Sequence, residues 1–196
     1  MQLRPSTARG GQCECKKAYT APTSMKPFKD GERSNVRVVI ETPKGSRNKY
    51  KFEPDLGAFT MSKVLPDGMV FPYDFGFVPS TEADDGDPID VLLLMDEPAF
   101  PGCIIESRLI GVIEGEQSED GDSERNDRLI AVPTCNHEYS DLTNISEMNE
   151  TLVNEIGQFF VNYHKLSGKK FKVVGTGGPK KAKKLLEKAL KQKKAA

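Results

Sequence analysis

The chain has 196 residues, of which 37% are hydrophobic and 29% are charged, and its formal net charge is −1. These values describe a soluble globular protein of one domain with a sizeable core. They exclude a membrane-spanning helix, because no apolar run approaches the ~18 residues that such a helix requires. The four cysteines are too few and too irregular for a disulfide framework, so a reduced, cytoplasmic location is expected.

In chain order, residues 1–25 are predicted to form a disordered arm, because they are polar and lack periodicity. Residues 26–196 are predicted to form a single domain. The hydrophobic pattern predicts strands at 36–41, 50–53, 58–62, 89–95, 104–113, 129–132 and 171–174. Short strands at this spacing favour a small antiparallel, OB-like β-barrel.

The remaining segments complete an α+β fold in which two C-terminal helices flank this barrel. Residues 115–127 are polar and acidic, which is typical of an exposed loop or hairpin. A long helix is predicted at 146–166, where apolar residues recur at helical spacing. The terminal helix follows Pro179, which suits its first turn.

Charge is distributed unevenly along the chain. Residues 82–127 hold fifteen acids and two bases, whereas residues 165–194 hold twelve lysines and one acid. A basic tail can indicate nucleic acid binding. However, these lysines surround an apolar stripe formed by Ala182, Leu185, Leu186, Ala189 and Leu190. That pattern is typical of the solvated face of an amphipathic helix, so nucleic acid is not expected as a partner.

The most informative segment is Asp-Gly-Asp-Pro-Ile-Asp at residues 85–90, which leads into an apolar strand. Its glycine and proline break a helix and favour a tight turn, so that Asp85, Asp87 and Asp90 converge. Three carboxylates this close repel one another unless a cation lies between them. Mg²⁺ binds through carboxylates, water and phosphate oxygens. A solvated acidic turn is the alternative for this motif.

With the next two residues, the segment reads Asp-Gly-Asp-Pro-Ile-Asp-Val-Leu and resembles the signature of the family I soluble inorganic pyrophosphatases. The resemblance extends from about Val36 to the final helix, with further blocks in the family's order at 38–43, 49–50, 71–77, 129–133 and 159–163. It implies hydrolysis of inorganic pyrophosphate to two phosphates by a metal-activated water. It also implies two or more Mg²⁺ ions and a homo-oligomer.

The resemblance assigns roles to individual residues. Asp87 would be the general base, and Asp85 and Asp90 would bind the metals, with Glu41 as an acid close behind them. The phosphate groups would be contacted by Lys49, Lys63, Arg128 and Tyr163. Taken alone, Lys49 is an ordinary exposed lysine, and core packing is the alternative role for Tyr163, because it lies on the apolar face of the long predicted helix.

Several positions depart from the family pattern. Lys51 stands where the family has a glutamate, and Lys63 replaces an arginine, which keeps the charge but loses the two-pronged guanidinium. Phe71 and Phe75 replace tyrosines, so two hydroxyls are lost. His164 replaces a lysine.

The most altered block is the one in which the family has two further metal-binding aspartates. Counting forward along the chain puts Gln117 on the first, and counting back from the strand at 129–132 puts Asn126 on the second. We expect the longer loop to shift the match by one residue. Asp127 and Glu116 would then serve as the remaining metal ligands.

These departures leave two alternative functions open. The first is a metal-dependent hydrolase of another diphosphate or a nucleotide, since the lost hydroxyls would otherwise hold pyrophosphate. The second is a non-catalytic relative that binds phosphate or nucleic acid through the barrel surface and the lysine-rich tail.

Overall fold

The computed structural model describes residues 20–29, 33–119 and 121–195. The strands and helices in chain order are β1 (Val36–Thr42), β2 (Asn48–Glu53), β3 (Ala58–Val64), β4 (Asp74–Phe77), β5 (Asp90–Leu93), β6 (Ile104–Glu119), β7 (Asp122–Arg125), β8 (Arg128–Pro133), α1 (Glu150–Lys165), β9 (Lys170–Gly177) and α2 (Pro179–Ala195). Two short 3-10 turns lie at Pro22–Ser24 and Ile145–Glu147. Within the described residues, no helix has the length and apolar character that a membrane span requires.

Five strands close into a ring in the order β1-β4-β5-β8-β6, and β6 pairs back with β1. The ring pairs are antiparallel except for β5 and β8, which run parallel. The predicted small barrel with two C-terminal helices is therefore confirmed, and the parallel pair makes its sheet mixed. Parallel neighbours need a long crossover connection, and here β6 and β7 supply it.

β6 is long because it pairs with four other strands of the same sheet. Its first half pairs with β1 and β8, and its second half pairs with β7 and β9. Gly115 permits the close approach of β9, since a Cβ on this residue would lie 2.2 Å from the ring of Phe171. The hairpin β2–β3 forms a separate two-stranded sheet.

Both helices cover the barrel with the apolar stripes seen in the sequence. Ile156, Phe160 and Tyr163 of α1 are buried in one core cluster. Ala182, Leu186 and Ala189 of α2 are buried in another.

The lysines of α2 do more than face solvent. Lys181, Lys188 and Lys193 form ion pairs with Glu114, Asp84 and Glu82. The Lys188–Asp84 distance is 2.7 Å, and Gln192 donates a further hydrogen bond to Asp84. The helix therefore fastens the acidic segment that precedes β5.

Two local features differ from the prediction. β4 was not predicted, because its four residues are all buried and so show no alternation of apolar and polar positions. α1 begins later than expected, at Glu150, where the Asn149 side chain accepts a hydrogen bond from the backbone N–H of Thr151. The 115–127 segment contains the pairing of β6 with β7, so of the two predicted alternatives the hairpin is the one observed.

The first described residues contact the domain. The backbone N–H of Ser80 donates to the carbonyl of Thr23 at 2.8 Å, and its hydroxyl donates to the carbonyl of Met25 at 2.9 Å. Residues 1–19 of the predicted arm lie outside the described residues. The boundary between arm and domain therefore stays a prediction.

Candidate active site

The segment that carries the three aspartates folds as a tight turn before β5. The backbone N–H of Gly86 donates to the carbonyl of Ala83, and the N–H of Ala83 donates to the carbonyl of Asp87. Gly86 has a φ of 81°, which L-residues with a side chain rarely adopt. The Asp85 carboxylate accepts the backbone N–H of Asp87 at 3.2 Å. These bonds fix the backbone that carries the first two aspartates.

A cleft of about 510 Å³ lies beside this turn. It is bounded by the β2–β3 hairpin, the turn before β5, the β6–β7 hairpin and the C-terminal end of α1. The structure brings most of the predicted site residues together on its walls, namely Glu41, Lys49, Lys63, Asp85, Asp87, Asp90, Arg128 and Tyr163.

The three aspartates form an acidic wall, in which the charges of Asp85 and Asp90 are costly to bury. Burial and the nearby carboxylate of Asp90 raise the pKa of Asp85 to about 6. Burial also raises the pKa of Asp90, although the Arg128 guanidinium opposes that shift. A cation would relieve this cost, and oxygen donors of this kind fit a hard divalent ion. Across the described residues, however, no three Asp, Glu, His or Cys side chains are grouped as a complete metal site.

The same cleft has a basic wall, whose lysines rest on aromatic rings. The Nζ of Lys49 lies 4.9 Å from the ring centre of Phe75, and the Nζ of Lys63 lies 4.9 Å from that of Tyr163. Lys63 also donates to the hydroxyl of Ser167 at 2.8 Å. Contacts of this kind hold an ammonium group over the face of a ring. Tyr163 therefore packs in the core and also supports the lysines.

Arg128 connects the two walls. Its side chain is only 6% exposed, and its Nη1 lies 2.8 Å from a carboxylate oxygen of Asp90. The guanidinium also lies over Phe160, 5.1 Å from the ring centre. A buried ion pair of this kind is costly to break, because the remaining charge has no partner.

The altered block is arranged differently from the expectation. Within the described parts of the chain, Gln117 and Asn126 line the cleft, whereas Asp127 and Glu116 do not. The amide of Asn126 donates to that of Gln117 at 2.8 Å. Asp127 instead accepts from Arg125 at 2.7 Å and from the backbone N–H of Gly115 at 3.0 Å.

The period of a strand explains this placement. Neighbouring residues of β6 point to opposite faces, so Glu116 and Gln117 cannot both line the cleft. Matching Asp127 instead of Asn126 to the family's second aspartate would shift the following residues by one position. Each of them would then point to the other face of its strand. Of the two alignments with the family, the position-by-position one therefore names the residues that line the cleft, Gln117 and Asn126. The alignment shifted by one residue does not.

Some residues that line the cleft belong to no motif recognised in the sequence. Glu124, Ser167 and Lys169 line the cleft from turns and hairpins. His164 does so from the end of α1, where its Nδ1 lies 2.8 Å from the carbonyl oxygen of Phe160. Burial, with smaller effects from nearby cations, lowers the pKa of His164 to about 4, so its imidazole is neutral near pH 7. In the sequence, His164 was noticeable only because it replaces a lysine of the family pattern.

Glu41 is a further acid of the cleft and is almost completely buried. It is 7% exposed, and its carboxylate accepts the backbone N–H of Phe52 at 2.9 Å. Burial raises its pKa from an ordinary value of 4.5 to about 7, against the effects of that hydrogen bond and of Lys49. Glu41 therefore exchanges a proton near neutral pH.

We expect Glu41→Gln to change how stability depends on pH. The folded protein holds the Glu41 proton up to about pH 7, whereas the unfolded chain releases it near pH 4.5, so wild-type stability falls as pH rises between these values. Glutamine keeps an acceptor for Phe52 but cannot ionise. Relative to wild type, the variant should therefore gain about 3 kcal/mol between pH 4 and pH 8. Urea unfolding with a chelator present measures this, and parallel pH profiles of the two proteins would contradict it.

Known proteins are similar to this chain in sequence and in fold. The family described as inorganic pyrophosphatase matches residues 38–194. The inorganic pyrophosphatase of Synechocystis sp. is 39% identical over 140 residues, which are 71% of this chain and 80% of the relative. That of Thermus thermophilus is 38% identical over 161 residues, or 82% and 90% of the two chains.

Solved structures agree with the sequence comparison. The crystal structure of inorganic pyrophosphatase from Thermus thermophilus superposes with a TM-score of 0.82 at 33% identity, covering 89% of this chain and 99% of that one. The Helicobacter pylori enzyme gives a TM-score of 0.76 at 33% identity, with 83% and 95% coverage. The resemblance noted in the sequence is thereby confirmed, and the chain belongs to the inorganic pyrophosphatase family.

Proposed function

We propose that this protein hydrolyses inorganic pyrophosphate to two phosphates by attack of a water molecule, with Mg²⁺ as the metal. The observation that carries this proposal is the pairing of an acidic wall with a basic wall in one cleft. Pyrophosphate is densely negative, so its reaction requires both charge neutralisation and an activated water. The two walls supply the groups for both tasks.

The acidic wall would activate the water. Asp85, Asp87 and Asp90 would hold the ions, which when bound lower the pKa of water and neutralise phosphate oxygens. Asp87 is the proposed general base. Its side chain is 61% exposed, so a water in the cleft can reach the carboxylate and transfer a proton to it.

The basic wall would hold the phosphate groups. Lys49 and Lys63 are fixed by their aromatic contacts, so little side-chain freedom is lost when phosphate binds. Arg128 would contact the substrate while it remains paired with Asp90. The hydroxyl of Tyr163 would donate a further hydrogen bond to phosphate. Glu41 would be an additional acid of the cleft near the metals.

The amide pair in the altered block leads to a specific prediction. The side-chain oxygen of Asn126 accepts from Arg128, and that of Gln117 accepts from Asn126. We propose that these two oxygens also face the metals in place of carboxylates. Asn126→Ala should then weaken Mg²⁺ activation several-fold, because an oxygen donor is lost. Asp127→Asn should leave Mg²⁺ activation unchanged and lower stability by about 1–3 kcal/mol, because it weakens the contact with Arg125.

Titration of Mg²⁺ against phosphate release, together with urea unfolding, separates these two variants. If Asp127→Asn raises the Mg²⁺ requirement and Asn126→Ala does not, Asp127 is the ligand and the proposed amide role is wrong.

Phosphate release by the purified protein tests the proposed function itself. We expect rapid release from pyrophosphate with Mg²⁺, and almost none from ATP or in the presence of EDTA. Release from ATP alone would favour a nucleotide hydrolase. No release from either substrate, combined with phosphate binding, would favour a non-catalytic relative.

Two further expectations belong to this proposal. A homo-oligomer stays a prediction, which light scattering of the purified protein can check. A cytoplasmic location also stays a prediction, and cell fractionation can check it.

A further inference from the structure

Lys51 places a positive charge inside the acidic part of the cleft. It lies on β2, two residues after Lys49, and both lysines line the cleft. Its Nζ lies 3.5 Å from each carboxylate oxygen of Asp87. The ammonium thus lies across the fork of the carboxylate, and its side chain is 41% exposed.

This position conflicts with metal binding at the same carboxylate. A divalent ion ligated by Asp87 would lie about 2 Å from one of its oxygens. It would then lie within about 5.5 Å of the Lys51 ammonium, which is 3.5 Å from each of these oxygens. At that separation a single charge and a double charge repel each other appreciably, even in a solvent-exposed cleft.

The β6–β7 hairpin contributes one carboxylate to the cleft, that of Glu124, which accepts a hydrogen bond from the Gln117 side chain at 3.3 Å. Gln117 and Asn126 are neutral and bond to each other. The Arg125 guanidinium is already paired with Glu114 and Asp127. Lys51 therefore forms its ion pair with Asp87 on the acidic wall rather than with this hairpin.

We propose that the Lys51 ammonium competes with divalent ions for the Asp87 carboxylate. This competition sets the concentration of Mg²⁺ that the protein requires. The inference rests on the proposed function only in placing Asp87 beside the metals. Lys51 is an affinity-determining residue, since it acts on the metal through the Asp87 carboxylate.

Binding of Mn²⁺, followed by electron paramagnetic resonance without pyrophosphate, tests this proposal. Lys51→Gln removes the charge and should tighten Mn²⁺ binding by about tenfold. Lys51→Arg retains the charge and should bind Mn²⁺ as wild type does. Lys183→Gln makes the same charge change on the exposed side of α2 and controls for net charge. The gain in Lys51→Gln should shrink at high salt, because salt screens exposed charges.

A double-mutant cycle shows whether the effect acts through Asp87. In an Asp87→Asn background, Lys51→Gln should change Mn²⁺ affinity by less than about twofold. Wild-type affinity in Lys51→Gln, or an equal gain in the Asp87→Asn background, would overturn the proposal. Because the readout is binding, it is independent of hydrolysis. A protein that binds Mn²⁺ as expected yet releases no phosphate would sink only the proposed function.

Discussion

Replacement of Asp87 by asparagine is expected to lower kcat for pyrophosphate hydrolysis by about two to four orders of magnitude, the usual contribution of a general base. Asparagine has the size of aspartate but cannot accept the proton of the attacking water. The backbone bonds that fix the turn involve the N–H and carbonyl of Asp87, and the substitution leaves both in place. Circular dichroism and the urea midpoint should therefore remain as in wild type.

A matched control uses the same substitution outside the cleft. Asp55 is exposed in the turn between β2 and β3, so Asp55→Asn should retain wild-type turnover. Stopped-time phosphate release at saturating Mg²⁺ compares the two variants. If Asp87→Asn turns over at the wild-type rate, the general base must be sought elsewhere on the cleft.

Arg128→Met should cause the largest loss of stability among the cleft variants. Methionine can fill part of the space between the aromatic rings but cannot neutralise Asp90. The side chain of Asp90 is 22% exposed, so we expect a loss of about 3 kcal/mol at pH 7, at the low end for a broken buried ion pair. Urea unfolding in the presence of a chelator measures this loss without a contribution from bound metal.

The loss should depend on pH in a defined direction. Burial already raises the pKa of Asp90, and removal of the guanidinium raises it further. The folded variant then holds a proton that the unfolded chain has released, so its stability falls as pH rises from 4 to 7. Adding Asp90→Asn to Arg128→Met should restore most of the stability at pH 7. If the double variant is as unstable as Arg128→Met, the ion pair is not the cause.

The fold was largely predictable because its strands and helices carry clear periodic patterns. The stripe from Ala182 to Leu190 indicated the helix α2, and the apolar run that ends the aspartate segment indicated β5. The parallel pairing of β5 and β8 was not predictable, because an apolar strand shows the same pattern beside either kind of neighbour. The ion pairs of α2 were not predictable for a related reason, because the sequence of a lysine-rich helix is the same whether its lysines are solvated or paired with acids.

The site was predictable where a motif fixed the backbone. The glycine and proline beside Asp85, Asp87 and Asp90 determine a turn, so their place in one cleft followed from the sequence. Where the loop length changed, the sequence left two registers open. The hydrogen bonds of Asp127 to Arg125 and Gly115 depend on the pairing of β6 with β7. Pairing of this kind cannot be read from the local sequence.

The attachment of α2 to the segment before β5 bears on the order in which the protein is assembled during synthesis. Lys188 and Asp84 are separated by 104 positions in the chain, and α2 follows every other described strand and helix. A ribosome therefore releases the aspartate turn long before the helix that fastens it. The nascent barrel would carry this acidic segment without its lysine partners, because the ion pairs of Lys188 and Lys193 can form only after residue 193 has left the exit tunnel.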